Sequence, residues 1–411
     1  MITGVSKIKG KNALPRGCGN RRRRLVSKPE TVRLGDVCKV VSGTTPKTNV
    51  PEYWDGTLNW VTPAEINDDT GIIYETVRKI SEAGVHASSL KSFPAGTVIL
   101  SSRAPIGKVA IAGTEMYCNQ GFKNLVCSDK IFNRYLFRYL KGQKEYLNSL
   151  GRGATFKEIS KAIVENIPIP LPSISTQQQI AAILDKVSDL IAERTQQLEK
   201  IDLLVKSLFI EIFGDPVTND KGWDIKRLDQ IADSRLGKML DSKRQTGNDR
   251  YPYLANFNVQ WFRFDLEKLN EMDFNEADRS ELALEYGDLL VCEGGEVGRT
   301  AIWKNEQQDC FFQKAIHRVR CRTNMCIPEY LAWVMYQKAM NTNFDGLVTS
   351  ATIAHLTGVK LKGLQIQVPP LPLQNRFADF VRAADKSKIA INQGLKTLEL
   401  QSYALMQKYF G

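Results

Sequence analysis

Six short polar segments hold the side chains best suited to chemistry in this sequence. Three lie in its first half: Thr44-Thr45-Pro46-Lys47, Ser101-Ser102-Arg103-Ala104-Pro105 with Lys108 close behind, and Arg152-Gly153-Ala154-Thr155. Their partners in the second half are Lys238, the run Glu293 to Arg299, and Thr349-Ser350-Ala351-Thr352. Arg and Lys donors suit phosphate oxygens and guanine edges, and hydroxyls suit either. Taken singly, each of these is an ordinary solvated loop residue. Their recurrence in paired settings gives the nucleic-acid reading its weight. The candidate DNA contacts are therefore Thr44, Thr45, Lys47, Arg103, Lys108, Arg152, Thr155, Lys238, Arg299, Thr349, Ser350 and Thr352.

Catalytic spacings are missing. Gly107-Lys108 is followed by Val109 and lacks the upstream glycine of a phosphate-binding P-loop. There is no strand-linked G-x-G-x-x-G, no HExxH, and no Asn/Asp-Pro-Pro-aromatic segment of a nucleobase methyltransferase. Gly294-Gly295-Glu296-Val297-Gly298 is glycine-rich, but its counterpart Arg103 to Gly107 is not. Eight cysteines and three histidines occur, with no CxxC pair; Cys321 and Cys326 come nearest. Zinc wants paired ligands at short spacing, so free thiols in a reducing cytosol are expected. No catalytic residue, metal or resident cofactor is expected.

Stepping outward to what must position these loops, 411 residues with 43% hydrophobic and 25% charged side chains suit a chain of about two or three domains. No run approaches the roughly 18 apolar residues of a membrane span. Net charge is +11, but residues 1–30 carry nine basic side chains against Glu30, leaving +3 for the rest. That tail is either a basic arm able to bind phosphate backbone, a disordered extension, or an over-long start.

An internal repeat with a period near 195 organises the remainder. Leu34 to Gly43 returns as Leu228 to Gly237, Phe93 to Leu100 as Leu284 to Val291, and Ile106 to Ile111 as Val297 to Ile302. Gln120 matches Gln313, Tyr135-Leu136 matches Tyr330-Leu331, and Ala154-Thr155 matches Ala351-Thr352. Pro170-Leu171-Pro172 matches Pro370-Leu371-Pro372, and Phe213-Gly214 matches Phe410-Gly411. Each copy is a globular unit followed by a long helix.

Ser175 with Gln178 predicts the first helix start as a capping box. Leu184, Ile191, Leu198, Val205 and Ile212 take one heptad position, and Val187, Arg194, Ile201 and Leu208 the other. An offset of 197 places Val381, Lys388, Leu395, Ser402 and Tyr409 against Ala384, Ile391, Leu398 and Leu405. A striped helix of about 37 residues, about 55 Å long, is unstable alone. Antiparallel pairing of the two follows from the repeat, with Arg194 and Lys388 near the middle. The alternative is two surface helices, each on its own domain.

The expected organisation is a basic tail (1–30), a recognition domain (31–172), a spacer helix (173–214), a second domain (215–372) and a second helix (373–411). Each domain is α+β, with Val98 to Ser101 and Leu289 to Cys292 as buried strands after a glycine turn. Helical patterns lie near 131–147 and 328–340.

These residues resemble the DNA-specificity (S) subunit of Type I restriction-modification systems. The resemblance rests on Leu34…Gly43-Thr44-Thr45-Pro46, Ser101 to Lys108, Pro170-Leu171-Pro172 followed by Gln177-Gln178-Gln179-Ile180, Phe213-Gly214-Asp215-Pro216, and the two-copy layout. It covers about residues 31–411. It implies two homologous target recognition domains related by a pseudo-two-fold, each reading half of a split double-stranded DNA site. It implies two antiparallel spacer helices that dock two methyltransferase subunits, through residues such as Leu184, Ile191, Leu198, Ile201, Leu208, Val381, Leu395, Leu398 and Leu405, with restriction subunits joining later. S-adenosylmethionine and ATP would belong to those partners, and the location would be cytoplasmic. Copy two departs from the pattern at Glu293-Gly294-Gly295-Glu296 and at Gln374-Asn375-Arg376, which replace the Ser-Arg-Ala-Pro loop and the Gln-rich helix start. The competing readings are a nucleic-acid-modifying enzyme with an unrecognised active site and an inactive scaffold relative.

Overall fold

Runs of adjacent apolar residues set the sheets. In the computed structural model, Val98–Leu100, Val109–Ala112 and Leu289–Cys292 are buried at every position, as strands covered on both faces must be. The structure describes residues 29–411 apart from 69, 104, 154–156, 242–244, 343 and 345–354. These form two units: the described residues up to Ser188 together with Gln401–Gly411, and Asp189–Leu400.

In the first unit, the main sheet runs Cys38–Ser42, Lys123–Cys127, Val98–Leu100, Val109–Ala112, Ile72–Ile73. A smaller sheet runs Lys79–Ile80, Trp54–Val61, Tyr117–Cys118, with one antiparallel and one parallel neighbour. Thr31–Arg33 closes the unit by pairing with Pro168–Pro170. The second unit repeats this plan, without a counterpart of Ile72–Ile73 among the described residues. Its main sheet runs Ala232–Leu236, Ile316–Cys321, Leu289–Cys292, Thr300–Ile302, and its smaller one Asn270–Asp273, Arg250–Leu254, Phe311–Phe312. Ile225–Arg227 pairs with Gln365–Gln367. Gly96 and Gly287 precede the central buried strand in each unit, with φ of 84° and 94°. A Cβ would strain that turn.

Hydrogen bonds correct two of the sequence matches. Leu171 N–H donates to Glu30 O and Val368 N–H to Asp224 O, both at 2.7 Å. The counterpart of Pro170-Leu171-Pro172 is therefore Gln367-Val368-Pro369, three residues before the matching Pro-Leu-Pro. Likewise Ser102 N–H donates to Gly121 O at 2.7 Å, and Glu293 N–H to Ala315 O at 2.9 Å. Gln120 therefore corresponds to Lys314, and Gln313 to Asn119. Strand pairing, which no local match can see, sets the register.

The two long helices are Ile174–Phe213 and Leu371–Phe410, of 40 residues each. The first begins upstream of the expected Ser175 start; the Ser173 hydroxyl accepts from Thr176 N–H at 3.3 Å. Gly214, with φ 75°, ends it. Every apolar seam position of both helices is buried or half-buried, whereas Arg194 is exposed and donates to Gln197 on its own helix. Lys388 faces Asp202, not Arg194.

In the second unit the helices pair antiparallel, since Asp202 meets Lys388 and Phe209 meets Phe377. Phe209, Phe213, Tyr330, Trp333 and Phe377 form one aromatic core there. In the first unit Ile180, Ala181 and Leu184 share a core with Leu405, Met406, Tyr409 and Phe410. Phe410 packs 5.2 Å from Tyr135, and Phe213 packs 4.7 Å from Tyr330. Losing one such ring costs about 3–5 kcal/mol.

Candidate nucleic-acid interface

Strand ends at Ser42, Leu100, Val109 and Lys123 meet at one end of the first unit's main sheet. The loops that leave them are tied together. Gly43 lies so close to Cys118 O and Asn119 O that a Cβ would sit 2.2 Å from each. Thr44 N–H donates to Cys118 O at 3.1 Å, and the Thr45 hydroxyl donates to Gln120. The Trp60 and Trp54 indoles donate to the carbonyls of Thr44 and Lys47, at 3.4 and 3.2 Å. The side chains of Thr44 and Lys47 are left exposed.

Arg152 and Glu158 exchange two backbone hydrogen bonds, at 3.0 and 2.9 Å, and Ile159 N–H donates to Ser102 O at 2.8 Å. The Glu158 carboxylate bridges Arg103 at 2.9 Å and Lys123 at 3.2 Å. Partial burial pushes that carboxyl up, but hydrogen bonds from the two cations outweigh it and hold it below its usual range. Lys123 is buried, and as a lone lysine in a strand it carries no separate signal in the sequence. The described residues of loops 43–47, 101–108, 119–121 and 152–158 are thus tied together, with Lys47, Arg103 and Arg152 exposed.

Lys108 reaches a neighbouring turn of its own domain. Its amine donates to Pro63 O at 2.7 Å. Its repeat partner Arg299 donates to Asn256 O at 2.8 Å and pairs with Glu296 at 3.3 Å. Its side chain is 14% exposed. Each cation braces a short turn (Pro63–Glu65, Asn256–Asn258) from inside the protein. Both cations are thus engaged within their own domain, each with one hydrogen bond to a backbone carbonyl.

In the second unit, Leu236, Cys292, Thr300 and Ile316 mark the corresponding end. Lys238 is also committed, donating to Asp273 O at 2.7 Å and pairing with Asp278. Lys314 is exposed in the turn that corresponds to Gln120, a correspondence that the sequence match, one residue out of register, does not show. His317 takes the place of Lys123, 4.0 Å from Glu293. Thr155, Thr349, Ser350 and Thr352 lie outside the described residues. Among the described residues no three His, Cys, Asp or Glu side chains gather as a metal site, and no helix is long and apolar enough to cross a membrane.

Residues 27–202 and 220–400 each match the family described as the Type I restriction modification DNA specificity domain. The chain belongs to that family. It is 38% identical over 223 residues to the Type I restriction enzyme MjaIX specificity subunit of Methanocaldococcus jannaschii, covering 50% of this chain and 52% of that one. The match thus spans about half the length of that relative. It is 23% identical over 379 residues to the MjaVIII specificity subunit of the same organism, covering 87% and 86%. Among solved structures, the S subunit of a Type I restriction-modification system from M. genitalium superposes with a TM-score of 0.56 at 14% identity, covering 94% and 98%. That likeness concerns the fold. As expected of a specificity-family chain, there are two α+β domains of one topology and two long helices that pair antiparallel.

Proposed function

We propose that this chain is the DNA-reading subunit of a Type I restriction-modification complex, each domain reading one half of a gapped two-part site in double-stranded DNA. The observation that carries this is the duplicated sheet plan, with loops gathered at the same sheet end in each copy and different side chains on them. One frame with two differing surfaces suits two different half-sites. Lys47, Arg103 and Arg152 are the proposed cations of the first surface, with Thr44 and Thr45 beside them; Lys314 joins the proposed contacts of the second. The helices dock two methyltransferase subunits, and restriction subunits join that assembly. The chain is itself non-catalytic, with S-adenosylmethionine and ATP bound by the partners, and it works in the cytoplasm.

Base-modification sequencing of DNA from cells expressing the neighbouring methyltransferase subunit, with and without this chain, tests the proposal. A gapped methylated motif that disappears without the chain is the expected result. An identical motif in both samples would remove the chain from site selection.

A further inference from the structure

The strand Trp54–Val61 is broken by a bulge. Its pairing to Lys79–Ile80 shifts between Trp54 and Leu58, so that both face Ile80. Asp55 adopts φ 56°, and a Cβ on Gly56 would lie 2.3 Å from Ile80 O. Bulges re-aim side chains. Along a regular strand, residues six apart are about 20 Å distant. Here the Trp54 and Trp60 rings meet edge to face, with centroids 5.0 Å apart. These are the two indoles that hold the Thr44 and Lys47 carbonyls.

Arg78 lies on top of them. Its guanidinium is 4.0 Å from the Trp54 ring centroid and 5.1 Å from that of Trp60. It is exposed and, among the described residues, its side chain forms no ion pair or hydrogen bond. A guanidinium stacked on an indole keeps its in-plane N–H groups available and is already ordered. The nearest analogue in the second unit is spent: Arg279 stacks on Tyr251 at 5.1 Å but pairs with Asp249 at 3.2 Å and donates to Phe274 O at 2.8 Å.

We propose that Arg78, seated on the Trp54–Trp60 pair beside the Thr44–Lys47 loop, is a contact of the first domain to the phosphate backbone of DNA. This rests on the DNA-reading function proposed above. The tryptophan pair fixes both the loop and the arginine, so that the backbone is gripped where the loop meets the bases.

The test uses the full chain with its methyltransferase partner and a duplex carrying the motif found by sequencing, with affinity measured across a salt series. Arg78→Ala is expected to weaken binding several-fold and lower the slope of log affinity against log salt by about one. Arg78→Lys should restore the slope. Trp54→Phe, which keeps the charge but removes the N–H to Lys47, should weaken discrimination at the first half-site with the slope unchanged. An unaltered slope in Arg78→Ala, with or without weaker binding, overturns the proposal, because the arginine would then only support the loop. Should Arg78→Ala not fold, a lowered slope in Arg78→Lys would overturn it instead. Wild-type protein that binds no duplex preferentially would bring down the DNA-reading function itself, a result distinct from either.

Discussion

Gln177 and Gln374 make the same three hydrogen bonds in two different domains. Each amide donates to a carbonyl before its own helix, Pro172 at 2.9 Å and Pro369 at 2.7 Å. Each also donates to a loop carbonyl, Lys130 at 3.0 Å and Met325 at 3.1 Å. Each oxygen accepts from the N–H that precedes a domain helix, Phe132 at 2.8 Å and Ile327 at 2.9 Å. Both side chains are fully buried. The glutamine locks the long helix to the globular domain it leaves.

Gln374→Leu would strand three backbone groups, of which the Pro369 carbonyl is buried and the other two partly buried. It should destabilise the second unit by roughly 2–4 kcal/mol, read as a lower urea midpoint by tryptophan fluorescence. A midpoint equal to the wild type would show that the lock is dispensable.

The exchange of Lys123 for His317 places a buried imidazole at this position in the second unit. Burial holds the His317 imidazole below its ordinary range, and the Glu293 carboxylate only partly offsets this; Lys362 also opposes its protonation. The folded unit therefore keeps it neutral. Unfolded histidine binds a proton near pH 6.5, so this contribution to stability is complete above about that pH and declines as pH falls below it. Thermal denaturation from pH 7.5 down to 5 should show a loss that His317→Gln flattens. Parallel curves for the two proteins would contradict it.

Lys47→Ala and Arg103→Ala should each weaken binding at the first half-site only. Lys47 loses one exposed charge, lowering the salt slope by about one. Arg103→Ala should cost more, since it also frees Glu158 and the loop behind it. Footprints on duplexes altered in one half at a time check this, and equal losses at both halves would mean the loops are wrongly assigned.

Ile201 and Leu398 are half-buried seam residues on the two long helices. Charging both, as Ile201→Glu with Leu398→Glu, should abolish capture of the methyltransferase subunit while leaving the circular dichroism of the domains largely intact. Undiminished co-purification would exclude the helices as the docking element.

Much of this architecture is local information. Apolar residues at heptad spacing predict the seam from Leu184 to Ile212 and again from Val381 to Tyr409, because a helix repeats over a few residues. Val98–Leu100 and Leu289–Cys292 read as covered strands for the same reason, and the duplication follows from ordered matches. The polar loops could likewise be picked out by residue type.

What the tertiary structure decided is non-local. Backbone hydrogen bonds between segments more than a hundred residues apart moved the Pro-Leu-Pro match by three positions. Lys108, Arg299 and Lys238 resemble free cations in the chain, yet each finds its carbonyl or carboxylate across the fold. The Trp54, Trp60 and Arg78 stack depends on a strand bulge no composition reveals. A hydrophobic stripe is set by spacing along one element, so sequence determines it. The partner of a charged group is set by which elements meet, and only the folded chain fixes that.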